Sequence, residues 1–128
     1  MKVAIVGSRE IVRYDAQTIL RHLPKNAKTI ISGGARGVDT LAENFALGQG
    51  FSFIKILPDY QKHGKKAPVL RNLEIVQQAD YLLAIWDYQS RGTAHAIVHC
   101  IEQGVPVRIL DADGCLLQPD PRIFEGIL

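Results

Sequence analysis

Five short apolar runs recur along the chain and differ in period from the segments between them. Lys2 to Val6, Lys28 to Ile31, Ser52 to Leu57, Tyr81 to Trp86 and Val105 to Leu110 are mostly continuous and rich in Ile and Val, the pattern of strands covered on both faces. Between them, apolar residues fall at i, i+3, i+4 and i+7. These sets are Ala16, Ile19, Leu20 and Leu23; Val38, Leu41, Ala42 and Phe45; and Ala94, Ile97, Val98 and Ile101. Each set turns one apolar stripe toward a sheet. Pro68 in a first-turn position, with Val69, Leu73 and Val76 behind it, predicts a further helix, and Gly104 is placed to end the helix before the fifth strand.

The resulting order is βαβαβαβαβ. Strands alternating with helices of this length imply parallel pairing through right-handed crossovers, hence an α/β, three-layer Rossmann-like sandwich on a five-stranded, mainly parallel sheet. With strands taken in the order 3-2-1-4-5, the topological switch lies between the first and fourth, and a ligand crevice is expected at their carboxyl ends. Residues 1–128 read as a single domain. Within it, 111–128 holds an Asp113-Gly114 turn signal followed by Leu116, Leu117, Ile123, Phe124, Ile127 and Leu128. That segment is expected to cover the sheet edge or to contribute to a homodimer or higher homo-oligomer interface.

Composition narrows the function classes. A chain of 128 residues, 47% apolar and 22% charged, can bury a core without disulfides or a structural metal, and disorder or collagen-like structure is excluded. Cys100 and Cys115 lack C-x-x-C spacing and read as reduced, structural residues. The apolar run before Gly7 is too short for a signal h-region, and no segment approaches the ~20 apolar residues of a bilayer span, so the expected compartment is the cytoplasm and no membrane partner is expected. A net charge of +2 selects no partner by itself. Its distribution is more informative: Lys62, Lys65, Lys66 and Arg71 lie between Gln61 and Asn72 with no acidic residue among them.

Candidate chemistry gathers at the predicted strand ends. After the second strand, Ser32-Gly33-Gly34-Ala35-Arg36-Gly37-Val38-Asp39 runs directly into a helix. Glycines there let the backbone approach a ligand, and a helix N-terminus offers N–H groups to phosphate; a purely structural tight turn is the alternative. The loop is neither Walker A nor G-x-G-x-x-G. The first strand ends in Gly7-Ser8-Arg9, and the fourth leads through Asp87 to Ser90-Arg91-Gly92-Thr93 before a helix, a second anion cradle in which Ser90 or Thr93 can also cap. The third strand leads through Asp59 and Tyr60 into the lysine-rich loop, either a solvated loop or a rim for a polyanion, and Arg71 suits bidentate phosphate contact. Tyr60, Trp86 and Tyr88 are the aromatics available to stack bases. His95 and His99, at i and i+4, have no evident third ligand, so no metal site is expected.

Together, Ser32 to Asp39, Arg71-Asn72, the Ala79-Asp80 to Asp87 strand and Ser90 to Thr93 resemble the SLOG superfamily of Rossmann-like domains, in particular its small stand-alone, phage- and bacterium-associated members. The resemblance covers Met1 to Leu110. Its branches include DNA-processing protein A, which binds single-stranded DNA, the LOG-type phosphoribohydrolases, and sensors of nucleotide-derived ligands. It implies ligand contacts at Gly7, Ser8, Arg9, Ser32, Gly33, Gly34, Ala35, Arg36, Gly37, Arg71, Ser90, Arg91, Gly92 and Thr93. Asp39, Asp59 or Asp87 is expected to bond ribose or base. The phosphoribohydrolase pattern Pro-Gly-Gly-x-Gly-Thr-x-x-Glu, anchored on Gly92-Thr93, puts Ala96 at the glutamate; hydrolysis would then need Glu10, Asp59 or Asp87 as a displaced carboxylate. The expectation is a site for a nucleotide-derived, phosphate-bearing small molecule of AMP, ADP-ribose or NAD type. Nucleoside-phosphate hydrolysis and single-stranded DNA binding are the alternatives.

Overall fold

The five apolar runs form parallel strands in the computed structural model, which describes residues 1–118. The elements are β1 (Lys2–Gly7), α1 (Ala16–Arg21), β2 (Thr29–Ser32), α2 (Val38–Gln49), β3 (Ser52–Lys55), α3 (Tyr60–His63), a 3-10 turn (Gly64–Lys66), α4 (Ala67–Gln78), β4 (Tyr81–Ile85), α5 (Arg91–Gln103), β5 (Val107–Leu110) and β6 (Leu116–Leu117). The sheet order is β3-β2-β1-β4-β5-β6. It preserves the expected 3-2-1-4-5 arrangement and adds a sixth strand, antiparallel to β5. Register is set at the centre, where Val3 to Gly7 pair with Tyr81 to Ile85.

Burial on both faces follows from the alternation along each strand. Val3, Ile5, Ile30, Leu83 and Ile85 pack with Ile19 of α1 and with Val38, Ala42 and Phe45 of α2. Ala4, Val6, Ile31, Leu82, Ala84 and Trp86 meet Ile75 and Val76 of α4 and Ala94, Ile97 and Cys100 of α5. Cys100 is wholly buried, and burial pushes its thiol up to about 12, so it remains a protonated core residue. Among the described residues, no helix is long and apolar enough to cross a membrane.

The departures from expectation are local. α1 stops at Arg21, two residues before Leu23, because Pro24 has no N–H and disfavours helical backbone at the residue preceding it. The lysine-rich loop is instead a short helix and a 3-10 turn. Asp59 caps that helix by accepting from the Lys62 N–H at 3.1 Å. The added strand follows a turn in which the Asp111 carboxylate accepts from the Asp113 and Cys115 amides, each at 2.9 Å. Ile123, Phe124, Ile127 and Leu128, on which the oligomer expectation leaned, lie outside the described residues.

Gly37 fixes the passage from β2 into α2. Its φ of 75° lies in the left-handed region, and a Cβ there would stand 2.5 Å from the Ser8 and Arg9 carbonyl oxygens. Gly37→Ala is therefore expected to lower the unfolding free energy by about 1–3 kcal/mol, read as a lower urea midpoint at constant m-value. Gly48→Ala is the control. It lies within α2 with nothing within 4 Å of a Cβ and is expected to stabilise by about 0.5–1 kcal/mol.

Candidate functional site

The loops that leave β1, β2 and β4 and the start of α4 converge at the carboxyl edge of the sheet. Between them opens a cleft of about 370 Å³. Gly7, Arg9 and Glu10 line it from β1, Ala35 and Asp39 from the β2–α2 passage, Arg71 and Asn72 from α4, and Asp87, Ser90, Gly92 and Thr93 from the β4–α5 passage. A second cleft of about 310 Å³ lies beyond Arg9, Ala35 and Arg71, walled by Gly33, Gly34, Arg36, Leu57, Pro58 and Tyr60. Arg9, Ala35 and Arg71 line both.

Arg71 is the most constrained cation of the site. It is 8% exposed, donates from Nη1 to the Gly33 carbonyl at 2.6 Å and from Nε to Asn72 Oδ1 at 3.0 Å. Gly33 makes the approach possible: a Cβ there would sit 2.6 Å from Arg71 Nη1 and 2.8 Å from Asp39 Oδ2. Burial lowers the Arg71 pKa, with Arg9 adding to the effect and Asp39 opposing it. Burial also raises the Asp39 pKa, although the Ala35 amide, Ser32, Arg71 and Arg9 all favour its charged form. Desolvation thus outweighs charge attraction at both residues. Arg9 is exposed and has no hydrogen-bond or ion-pair partner among the described residues.

The two expected anion cradles are partly occupied by the protein's own carboxylates. Asp39 Oδ2 accepts from the Ala35 N–H at 3.1 Å beside the start of α2. Asp87 Oδ1 accepts from the Gln89 and Ser90 amides, each at 2.9 Å, and Ser90 Oγ accepts from the Thr93 N–H at 3.3 Å. Burial raises the Asp87 pKa, but the Ser90 and Gln89 amides and the Ser8 hydroxyl outweigh it and hold the carboxyl below its ordinary range. Asp87 therefore stays ionised, and the cleft offers both arginines and fixed acceptors.

Several residues expected at the ligand do framework work instead. Ser32 is buried and donates to the Ile5 carbonyl at 2.7 Å. Ser8 is buried and accepts from the Asp87 N–H at 3.0 Å, while its carbonyl takes the Val38 N–H at 3.2 Å; it clamps β1, β4 and α2 together. Asp59 lines neither cleft, being spent as the α3 cap. Arg91 lines neither, and Gly37 is buried behind the passage. Arg36 lines only the second cleft, and its side chain pairs at 2.6 Å with Glu10 of the main cleft, both side chains largely exposed. Ala96 lines the main cleft with no carboxyl to offer a hydrolase. The residues not foreseen as lining include Val6, Pro68, Gln89 and the Leu57-Pro58 pair. The only sequence signal for them is proximity along the chain to Gly7, Asp59, Arg71 and Asp87.

Among the described residues no group of His, Cys, Asp and Glu could hold a metal. His95 and His99 sit instead beside a smaller groove between α4 and α5.

Two comparisons with known proteins bear on this arrangement. The sequence model of the DNA recombination-mediator protein A family matches residues 1–78, the stretch from β1 through α4. The chain is also similar to the Gene 61 protein of Mycobacterium phage D29, with 35% identity over 116 residues, covering 83% of this chain and 93% of the phage protein.

The raised Asp39 pKa has a consequence for stability. The folded state keeps this proton at higher pH than the unfolded chain, so between the ordinary carboxylate pKa and the raised one the folded state binds more protons and stability falls as pH rises. By urea unfolding from about pH 3 to 7, the native protein is expected to lose stability relative to Asp39→Asn as pH rises, the opposite contribution of the depressed Asp87 being common to both. The corresponding component should be missing in Asp39→Asn, whose amide oxygen can still accept from Ala35.

Proposed function

The chain belongs to the DNA recombination-mediator protein A family, and from that premise we propose that its main cleft binds a nucleotide-derived, phosphate-bearing small molecule. The observation that carries this reading is Arg9, which has no partner among the described residues and lines the cleft beside the buried Arg71. The phosphate lies against these two guanidiniums, whose planar forks suit phosphate oxygens. The ionised Asp87 accepts from sugar hydroxyls or from a base N–H, and Asp39 stands behind Arg71. A lining of mixed sign favours a nucleotide over a bare phosphate ion, because only the nucleotide supplies donors to the acidic side. The cleft volume of about 370 Å³ is within the range of small-molecule sites.

A second reading, binding of single-stranded DNA, is favoured by the family match and by Lys62, Lys65 and Lys66. These three exposed lysines stand on α3 and the 3-10 turn, between the second cleft and α4. Sequence-independent strand binding rests on such phosphate contacts and weakens steeply with salt.

Calorimetric titration with AMP and with inorganic phosphate tests the first reading. AMP is expected to bind and phosphate to bind much more weakly, while Arg9→Ala weakens AMP about 10- to 100-fold without lowering the melting temperature; no heat from AMP at millimolar concentration would sink the idea. For the second reading, a decanucleotide should lose affinity linearly in log salt. Replacing the three lysines by alanine should flatten that slope and leave AMP binding unchanged.

A further inference from the structure

The opposite end of the strands carries a concentration of charge that the clefts do not use. Lys2 opens β1, Arg21 ends α1, Lys25 stands in the turn between α1 and β2, Lys28 precedes β2, and Arg108 is the second residue of β5. We propose that this amino edge of the sheet is a second interaction surface, one that binds the phosphate backbone of duplex DNA. The inference is independent of what the main cleft holds.

Strand register gathers these residues. Lys2 pairs with Thr29, and the Lys28 N–H donates to the Met1 carbonyl at 3.1 Å, so Lys2 and Lys28 are neighbours across two strands. The turn that holds Lys25 is closed by the Ala27 N–H on the Pro24 carbonyl at 3.1 Å. Arg108 registers with Leu83 and follows Val107, which packs toward α4 and α5; alternation therefore turns Arg108 to the face that α1 covers. There its charge reaches Tyr81 at the start of β4, where burial raises the phenol pKa and Arg108 opposes it.

Charge is not balanced within this edge. All five cations are exposed, and none is in an ion pair among the described residues. The acidic residue beside them, Asp80, accepts from the Lys2 backbone N–H at 2.8 Å. Five cations beside one carboxylate exceed the net charge of +2 on the whole chain, and such a local field attracts polyanions.

The form of the surface selects the partner. None of the five cations lines either cleft or the α4–α5 groove, and spaced cations on an open face meet successive phosphates rather than enclosing one. The exposed rings Tyr60 and Tyr88 follow β3 and β4, at the other end of the strands. Phe51 and Tyr81, at this end, pack into the core cluster under α1 and α2. The amino edge thus offers no free ring on which unpaired bases could stack, whereas a duplex asks only for backbone contacts.

Fluorescence anisotropy of the full chain with a labelled DNA duplex of about 20 base pairs tests this surface. Log affinity is expected to fall linearly with log salt. The triple variant Lys2→Ala, Lys25→Ala, Lys28→Ala should flatten that slope by about 2 to 3 and weaken binding about tenfold or more at low salt. Arginine at the same three positions should keep the slope. Because these lysines are exposed and outside ion pairs, the alanine variant is expected to melt with the native protein. Replacing Lys62, Lys65 and Lys66 by alanine should leave the duplex slope in place. The proposal is overturned if the native chain ignores the duplex at low salt, if the amino-edge variant keeps the native slope, or if both triple variants lose affinity equally. Binding to phosphatidylserine vesicles with none to the duplex overturns it as well. Titration of the native chain with AMP reports on the cleft separately, so the two readings fail independently.

Discussion

The parallel pairing of β1 with β4 is the constraint on which the rest of the molecule depends. It is the point where the crossovers part company, α1 and α2 covering one face and α4 and α5 the other. Loops leaving two adjacent strands in opposite directions cannot fill the space above the strand ends, so a crevice opens there. Ser8 holds that junction closed at the backbone level. Its amide donates to the Ile85 carbonyl at 3.1 Å, its carbonyl accepts from Val38, and its hydroxyl accepts from Asp87. One buried residue thereby aligns β1, β4 and the start of α2, and sends the next residue, Arg9, out into the cleft.

Above that junction the site is built on unfavourable desolvation. Burial raises the Asp39 pKa and lowers that of Arg71, against the attraction between their opposite charges. That attraction compensates only part of what removal from water costs. The cost is tolerated because the Arg71 fork is fixed by the Gly33 carbonyl and by Asn72, so the guanidinium is already oriented before anything binds. An anion placed against Arg71 and Arg9 adds a favourable partner to cations that have too few, whereas the acidic residues are already supplied with backbone N–H donors. The electrostatics thus favour an anion at the arginines and hydrogen-bond donors at Asp87.

Glycine positions show how local sequence and tertiary approach divide the work. Gly37 is needed because the chain itself takes a left-handed turn into α2. Gly33 is needed because a side chain from α4, far along the sequence, comes to lie where its Cβ would be. The first requirement is local, and a Gly-rich strand-to-helix loop announces it. The second exists only once α4 has packed across β1 and β2.

Much of this protein was legible from pattern alone. Period and β-branched runs predicted the alternating elements, and chirality of the crossovers with the choice of order predicted a crevice between β1 and β4. Hydroxyl, glycine and arginine at three strand ends pointed to that edge, and Arg71 was singled out by residue type. What only the tertiary structure decided is which of those groups remain available. Ser8 and Ser32 turn inward to satisfy backbone groups, Asp59 caps α3, and Asp39 and Asp87 occupy amides that sequence reasoning had assigned to phosphate. Hydrogen-bond donors and acceptors must be satisfied where they are buried, and burial is a property of the packed molecule. Sequence therefore determined which chemical groups gather at this sheet edge, while packing decided which of them still have bonds to offer.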